Sequence, residues 1–154
     1  WDQTTRVPLF IHAPGLSKDG AKTRQPVTLT DLYPTLCELA ELPVPKQCDG
    51  VSLVPQLRKP QKHSSSVSLT SFQFWGDSAP SHAVSDHRYR FISYPDGFIE
   101  LYDLIEDPHE FTNLANDPSF AKIKKCLHQK IPTNVKPIVG IPANSIYNRK
   151  RKIR

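Results

Sequence analysis

At 154 residues the chain can build one domain with a real core, or a small core plus extended segments. Its hydrophobic fraction is 38%, and no apolar run approaches the ~20 residues that span a bilayer. The net charge of +5 is a sum of two unlike parts: residues 121–154 carry ten Lys/Arg and no Asp/Glu, whereas residues 1–120 carry ten basic and fifteen acidic residues.

No basic segment followed by an apolar one opens the chain, so a signal peptide is not read. Methionine is absent throughout, position 1 included, and the expectation is a piece of a longer chain whose beginning lies elsewhere. Cys37, Cys48 and Cys126 show neither a CxxC pair nor a zinc-type spacing with histidine, so no metal site is read. Cys37 and Cys48 can pair in an exported protein, while the odd third cysteine argues against a disulfide-dense scaffold.

Taken in chain order, residues 6–13 (RVPLFIHA) read as a short buried strand, with Val7, Leu9, Phe10 and Ile11 ended by Pro14-Gly15. In VTLTDLYPTLCELAEL the residues Leu32, Leu36, Leu39 and Ala40 fall at helical spacing, which predicts a helix over about 29–41. Thr28 with Asp31 resembles a capping box, and Pro34 is tolerated only in the first turn. Pro43, Pro45 and Pro55 fix an irregular path with a helical turn near 52–57, and 59–66 reads as a surface loop. VSLTSF (67–72) alternates as a strand. HAVSDHRYRFISY and FIELYDL flank Pro95-Asp96-Gly97 and predict a hairpin, with Tyr89, Phe91 and Ser93 alternating against Arg88, Arg90 and Ile92. Asp107-Pro108 and Asp117-Pro118 signal turns, and a helix follows over about 118–130 with Phe120, Ile123 and Leu127 as its apolar stripe. From Pro132 the chain reads as an extended segment ending in a basic run.

These elements imply an α+β fold: a small antiparallel sheet packed with a C-terminal helix. A lone strand at the front, apolar on both faces, is typical of a strand buried in a larger sheet.

Two blocks carry a family resemblance. TTRVPLFIHAPG with VTLTDLYPTLCELAELPVPKQCDGVSLVPQL resembles the end of the catalytic domain of type I sulfatases, with an Arg-Val-Pro-Leu strand, an Asp-x-x-Pro-Thr-Leu helix and Asp-Gly-x-Ser-Leu. HAVSDHRYRFISYPDGFIELYDLIEDPHEFTNLANDP resembles that family's C-terminal subdomain, through Glu-Leu-Tyr-Asp-Leu and Asp-Pro-x-Glu-x-x-Asn-Leu-Ala. The iduronate-2-sulfatase-like group is the nearest in flavour. The resemblance implies that residues 1–66 end an α/β, alkaline-phosphatase-like catalytic domain, that 67–132 form the antiparallel subdomain, and that 133–154 are an extended basic tail. It further implies an exported enzyme that hydrolyses sulfate esters of a sulfated sugar or polysaccharide, with the remainder of its own catalytic domain as partner.

Sulfatases of this kind use a formylglycine made from the cysteine of Cys-x-Pro/Ala-Ser-Arg, and a calcium ion held by Asp and Asn side chains. None of the three cysteines stands in that motif, and no Asp-Asp pair is available for calcium. Nucleophile and Ca²⁺ ligands are therefore expected upstream, and the chain alone is expected to be inactive. His82 is the candidate substrate-side residue, because relatives with a His-x-Val-Arg pattern offer side chains from this sheet to the cleft; here Ser85 replaces the arginine. A structural role is preferred for His12, and surface positions for His87, His109 and His128. Helix capping accounts for Asp31, and turn chemistry for Asp103 and the Asp107–Glu110 run.

A reading from a different class is a non-catalytic polyanion-binding module, with rings and arginines of RYRFISY meeting phosphate or sulfate, aided by Arg149–Arg154. The same run also reads as a half-buried strand, which is the preferred reading, and a nucleic-acid partner is not favoured.

Overall fold

The computed structural model describes residues 2–62, 65–73 and 79–133, so the basic tail from 134 onward lies outside the described residues. Its centre is a four-stranded antiparallel sheet in sequence order: β1 (Ser68–Phe72), β2 (Ser81–Ser85), β3 (Tyr89–Ser93) and β4 (Ile99–Asp103). Four short helices accompany it: α1 (Asp2–Thr5), α2 (Leu32–Leu39), α3 (Val54–Arg58) and α4 (Ala121–His128).

The pleat explains the core. Leu69, Val84, Phe91 and Leu101 stand in register across the four strands and share one face. Leu127 of α4 closes over this row, and Phe120 and Ile123 pack beside it, so the predicted stripe of the last helix is the buried one. Val84 and Leu101 are fully buried. The other face carries Ser85, Arg90, Ile92 and Tyr102, which are buried as well. A sheet buried on both faces, with a helix on one of them, matches the α+β expectation.

Turn chemistry sets the register. Pro95-Asp96-Gly97 closes the β3–β4 hairpin as read from the sequence: Gly97 takes φ 86°, and Asp96 Oδ1 accepts from Phe98 N–H at 2.9 Å. The run HAVSDHRYRFISY, however, is two strands. Asp86 Oδ1 accepts from Arg88 N–H at 2.7 Å and Tyr89 N–H at 2.6 Å, an Asx turn that separates β2 from β3.

At the front, residues 6–13 form no strand, and Val7 and Phe10 are 68% and 90% exposed. The reason is a missing neighbour. A strand needs ladder partners for its N–H and C=O groups, and no described strand pairs with this segment. The predicted helix 29–41 appears as a 3-10 turn over Leu29–Asp31 continued by α2, and α3 occupies the turn foreseen near 52–57.

Asp31 and Thr35 join this helix to the loop after it. Asp31 Oδ2 accepts from Thr28 N–H at 2.8 Å, completing the start of the helix, while Oδ1 accepts from Val51 N–H at 2.8 Å. Buried Thr35 Oγ1 donates to the Asp31 carbonyl at 2.6 Å and accepts from Leu53 N–H at 2.9 Å. Gly50 is the close approach that makes this possible, because a Cβ there would stand 2.1 Å from the Thr30 carbonyl oxygen. Gly50→Ala is expected to destabilise the chain by roughly 2–3 kcal/mol in urea unfolding, since backbone must move to admit the methyl group. Amide hydrogen exchange should show stronger protection across 88–130 than across 6–41; equal protection would contradict the unequal packing of the two regions.

Candidate functional site

His82, the second residue of β2, faces the same side of the sheet as Val84, two residues on. Its register partners are Ser71 on β1 and Ser93 on β3, so three polar side chains form one row beyond the apolar one. Ser71 Oγ and His82 Nδ1 lie 2.8 Å apart. Partial burial lowers the His82 pKa below the usual histidine value, because desolvation disfavours the charged imidazolium. A neutral ring held through Nδ1 can present its other nitrogen to a ligand.

Ser85, where the resemblance implies an arginine, is buried and pairs in register with Arg90. The cation missing from β2 has its counterpart on β3, but not as an open one. Arg90 is 5% exposed at its side chain, and its Nε lies 3.3 Å from Glu110 Oε1. Both terminal nitrogens of Arg90 also donate to Thr5 Oγ1 at 3.3 Å. Arg88 is held through Nε and Nη2 by Asp103 Oδ2, at 2.8 and 2.7 Å, and stacks over Tyr89. The open aromatic–basic face considered for RYRFISY is thus not formed, because both arginines are matched by carboxylates of their own chain.

On the Arg90 face, the Tyr94 and Tyr102 hydroxyls donate to the Glu100 carboxylate. Burial, followed by the negative charge of Glu100, pushes both hydroxyls up to about 12. Linear spacing did not reveal this carboxylate–phenol group as a whole: Glu100 and Tyr102 share β4, but Tyr94 follows the end of β3 and only the hairpin brings it to them.

The remaining candidates take structural or surface places. His12 is largely exposed, 4.0 Å from Asp19. His87, His109 and His128 are exposed, and the His128 and Phe91 rings meet in a T-shaped arrangement with centroids 5.8 Å apart. Asp107 Oδ2 accepts from Thr112 N–H at 2.7 Å, and Asp117 Oδ1 accepts from Ser119 N–H at 2.8 Å at the start of the last helical segment. Cys37, Cys48 and Cys126 are free thiols. Among the described residues no group of three or more His, Cys, Asp or Glu side chains converges to hold a metal ion, so they do not fit the calcium ion that the resemblance implies. A cavity of about 440 Å³ lies between Ser52, Gln56 and Ser66 and shares no residue with the His82 row.

The family model for the C-terminal part of N-sulphoglucosamine sulphohydrolase matches residues 1–136. The chain belongs to this sulphohydrolase C-terminal family. Among its relatives, a Δ4,5-hexuronate-2-O-sulfatase of Bacteroides thetaiotaomicron is 36% identical over 129 residues, covering 80% of this chain and 27% of the relative. Human arylsulfatase K is 29% identical over 165 residues, covering all of this chain and 30% of its own. The solved structure of a 2-O GAG sulfatase superposes with a TM-score of 0.51 at 39% identity, covering 60% of this chain and 21% of that one. The sulphohydrolase C-terminal chain therefore spans under a third of the length of these relatives. No helix among its described residues is long and apolar enough to cross a membrane.

Asp103 offers a direct test of the electrostatics. Burial opposes its ionisation, but the Arg88 guanidinium and the Ile105 and Glu106 N–H groups outweigh that and lower its pKa below 3.8. A carboxylate depressed on folding stabilises the fold above its unfolded pKa, and that contribution is lost as pH falls through the folded value. The stability gap between wild type and Asp103→Asn should be full at neutral pH and shrink once pH drops below the ordinary carboxylate range. A gap independent of pH in urea unfolding would exclude this role.

Proposed function

We propose that this chain is the C-terminal part of a formylglycine- and calcium-dependent sulfatase of the iduronate-2-sulfatase-like group, acting on a sulfated uronate-containing sugar or polysaccharide. The observation that carries the reading is the family match over residues 1–136, which takes in both sequence blocks in order. The relatives named for hexuronate 2-O-sulfate and for a 2-O GAG sulfate support the substrate class. An exported location follows from the same reading.

Residues 1–66 would end the α/β catalytic domain. Val7, Phe10, Leu29 and Leu36, all strongly exposed, then lie against the rest of that domain, where burying each side chain is worth about 1.5–3 kcal/mol. Residues 67–132 would form the subdomain beside the cleft. In this reading formylglycine would supply the nucleophile and calcium would act as a Lewis acid toward the sulfate oxygens, and no described residue of this chain would hold either. What this chain contributes is positioning. The Ser71–His82 contact holds an imidazole that donates a hydrogen bond to a sugar hydroxyl or sulfate oxygen at the rim.

The test is a chimera in which residues 1–132 replace the matching segment of the Bacteroides hexuronate-2-O-sulfatase. We expect it to hydrolyse the 2-O-sulfated unsaturated disaccharide, and the 154-residue chain alone to show no turnover even with added Ca²⁺. His82→Ala in the chimera should lower kcat/KM by roughly 10–100-fold, the loss of one well-placed donor, while leaving thermal stability nearly unchanged. A well-folded but inactive chimera, or turnover by the isolated chain, would overturn the reading; an active chimera indifferent to His82→Ala would remove only the rim role.

A further inference from the structure

α4 carries open positive charge that the hairpin lacks, while other exposed cations, Lys18, Lys22, Lys46, Lys59 and Lys62 among them, stand before the sheet in the chain. Packing fixes which side of this helix is free: Phe120, Ile123 and Leu127 turn to the sheet, and Lys122 and Lys125, one turn apart, are exposed. Lys130 follows directly after the helix and is exposed as well. Lys124 is used internally, donating to the Ala115 carbonyl. No carboxylate among the described residues pairs with Lys122, Lys125 or Lys130. Nor does Asp or Glu occur anywhere from residue 121 to the end of the sequence.

Helix stability does not account for all of these positions. Cations in the last turn complement the macrodipole, which explains Lys125 and His128. Lys122 lies beyond the Asp117 cap of the helical segment that Pro118–Phe120 opens, outside the last turn where the dipole favours a cation. Ammonium groups on flexible stems suit an occupant whose anionic groups are irregularly spaced.

We propose that the solvent face of α4, with Lys122, Lys125 and Lys130, docks an extended sulfated polysaccharide outside the reaction cleft. The choice of a sulfated polysaccharide over other polyanions rests on the function proposed above. The surface itself rests on charge complementarity alone.

The experiment uses the full 154-residue chain and a heparin octasaccharide, with affinity measured by calorimetry across a salt series. The triple variant Lys122→Glu/Lys125→Glu/Lys130→Glu should bind roughly tenfold or more weakly and show a shallower salt dependence, because fewer counterions are released. A control of equal charge change on exposed lysines elsewhere, Lys18→Glu/Lys22→Glu/Lys46→Glu, should lose at most about threefold through the general field. Circular dichroism keeps both variants comparable, and removal of Arg149–Arg154 should leave the difference between wild type and the α4 variant in place. Equal weakening by both triple variants would sink the proposal, as would loss of that difference on removing the tail. Duplex DNA bound as tightly as the octasaccharide would also overturn it, by showing an unselective polyanion surface. Turnover of a disaccharide by the chimera reports on the proposed enzyme alone, so an active chimera beside a chain indifferent to the α4 changes would refute only the docking surface.

Discussion

The buried pair of Arg90 and Glu110 is the contact on which the arrangement of this chain turns. Three parts of the molecule meet at it: β3 through Arg90, the loop after β4 through Glu110, and α1 through Thr5. Two ions with side chains 5% and 4% exposed are costly to remove from water, so each depends on the other remaining. Glu110 takes φ 58°, a conformation that non-glycine residues adopt only when their surroundings hold them there. The pair thus fixes a strained loop residue, and the loop then brings Asn113 to the edge of β4. There Asn113 Oδ1 accepts from Leu101 N–H at 3.0 Å and from Ala115 N–H at 2.9 Å, so a side chain continues the ladder where the sheet ends. Leu114 N–H adds a bond to the Leu101 carbonyl at 2.8 Å, which seats Ala115 in the core.

This chain of contacts explains why the motifs of the second block were legible while their purpose was not. Glu110, Asn113 and Ala115 could be read as a signature, and turn residues beside them as turn chemistry. That Glu110 reaches Arg90 on another strand depends on register and on a positive φ, neither of which a linear pattern encodes. The first block behaves in the same way. Asp31 was legible as a cap, but its second oxygen reaches twenty residues on to Val51, and Gly50 is required by the Thr30 carbonyl rather than by any turn of its own. Motif spacing showed that these residues belong together; only the fold shows which atoms meet.

Where the reading of the sequence failed, the cause was a missing partner or an unread turn. Val7, Leu9, Phe10 and Ile11 are apolar enough for a buried strand, but strand formation is a property of a sheet, and no strand described here pairs with residues 6–13. Asp86 interrupts a run whose β propensity is otherwise continuous, and a single carboxylate accepting two N–H groups suffices to end one strand and start the next. Arg90 misled in the opposite sense. In an alternating pattern it reads as the polar side of a half-buried strand, whereas both sides of β3 are buried and its charge is satisfied from within.

The sheet therefore separates two kinds of polar chemistry. One face carries the Arg90–Glu110 pair and Glu100 with its two tyrosines, groups that are turned toward one another and to Thr5. The other face carries the apolar row, the Ser71–His82–Ser93 row beside it, and α4 packed above. A positively charged side chain on the first face is already spent on holding the chain together, so it has little left to offer an anionic ligand. On the second face burial disfavours the charged form of His82, which is tethered through Nδ1, while Lys122, Lys125 and Lys130 have no carboxylate partners among the described residues. The substitution of Ser85 for the arginine implied by the family pattern fits that division, because position 85 lies on the Arg90 face, where an added guanidinium would need a further buried carboxylate to balance it.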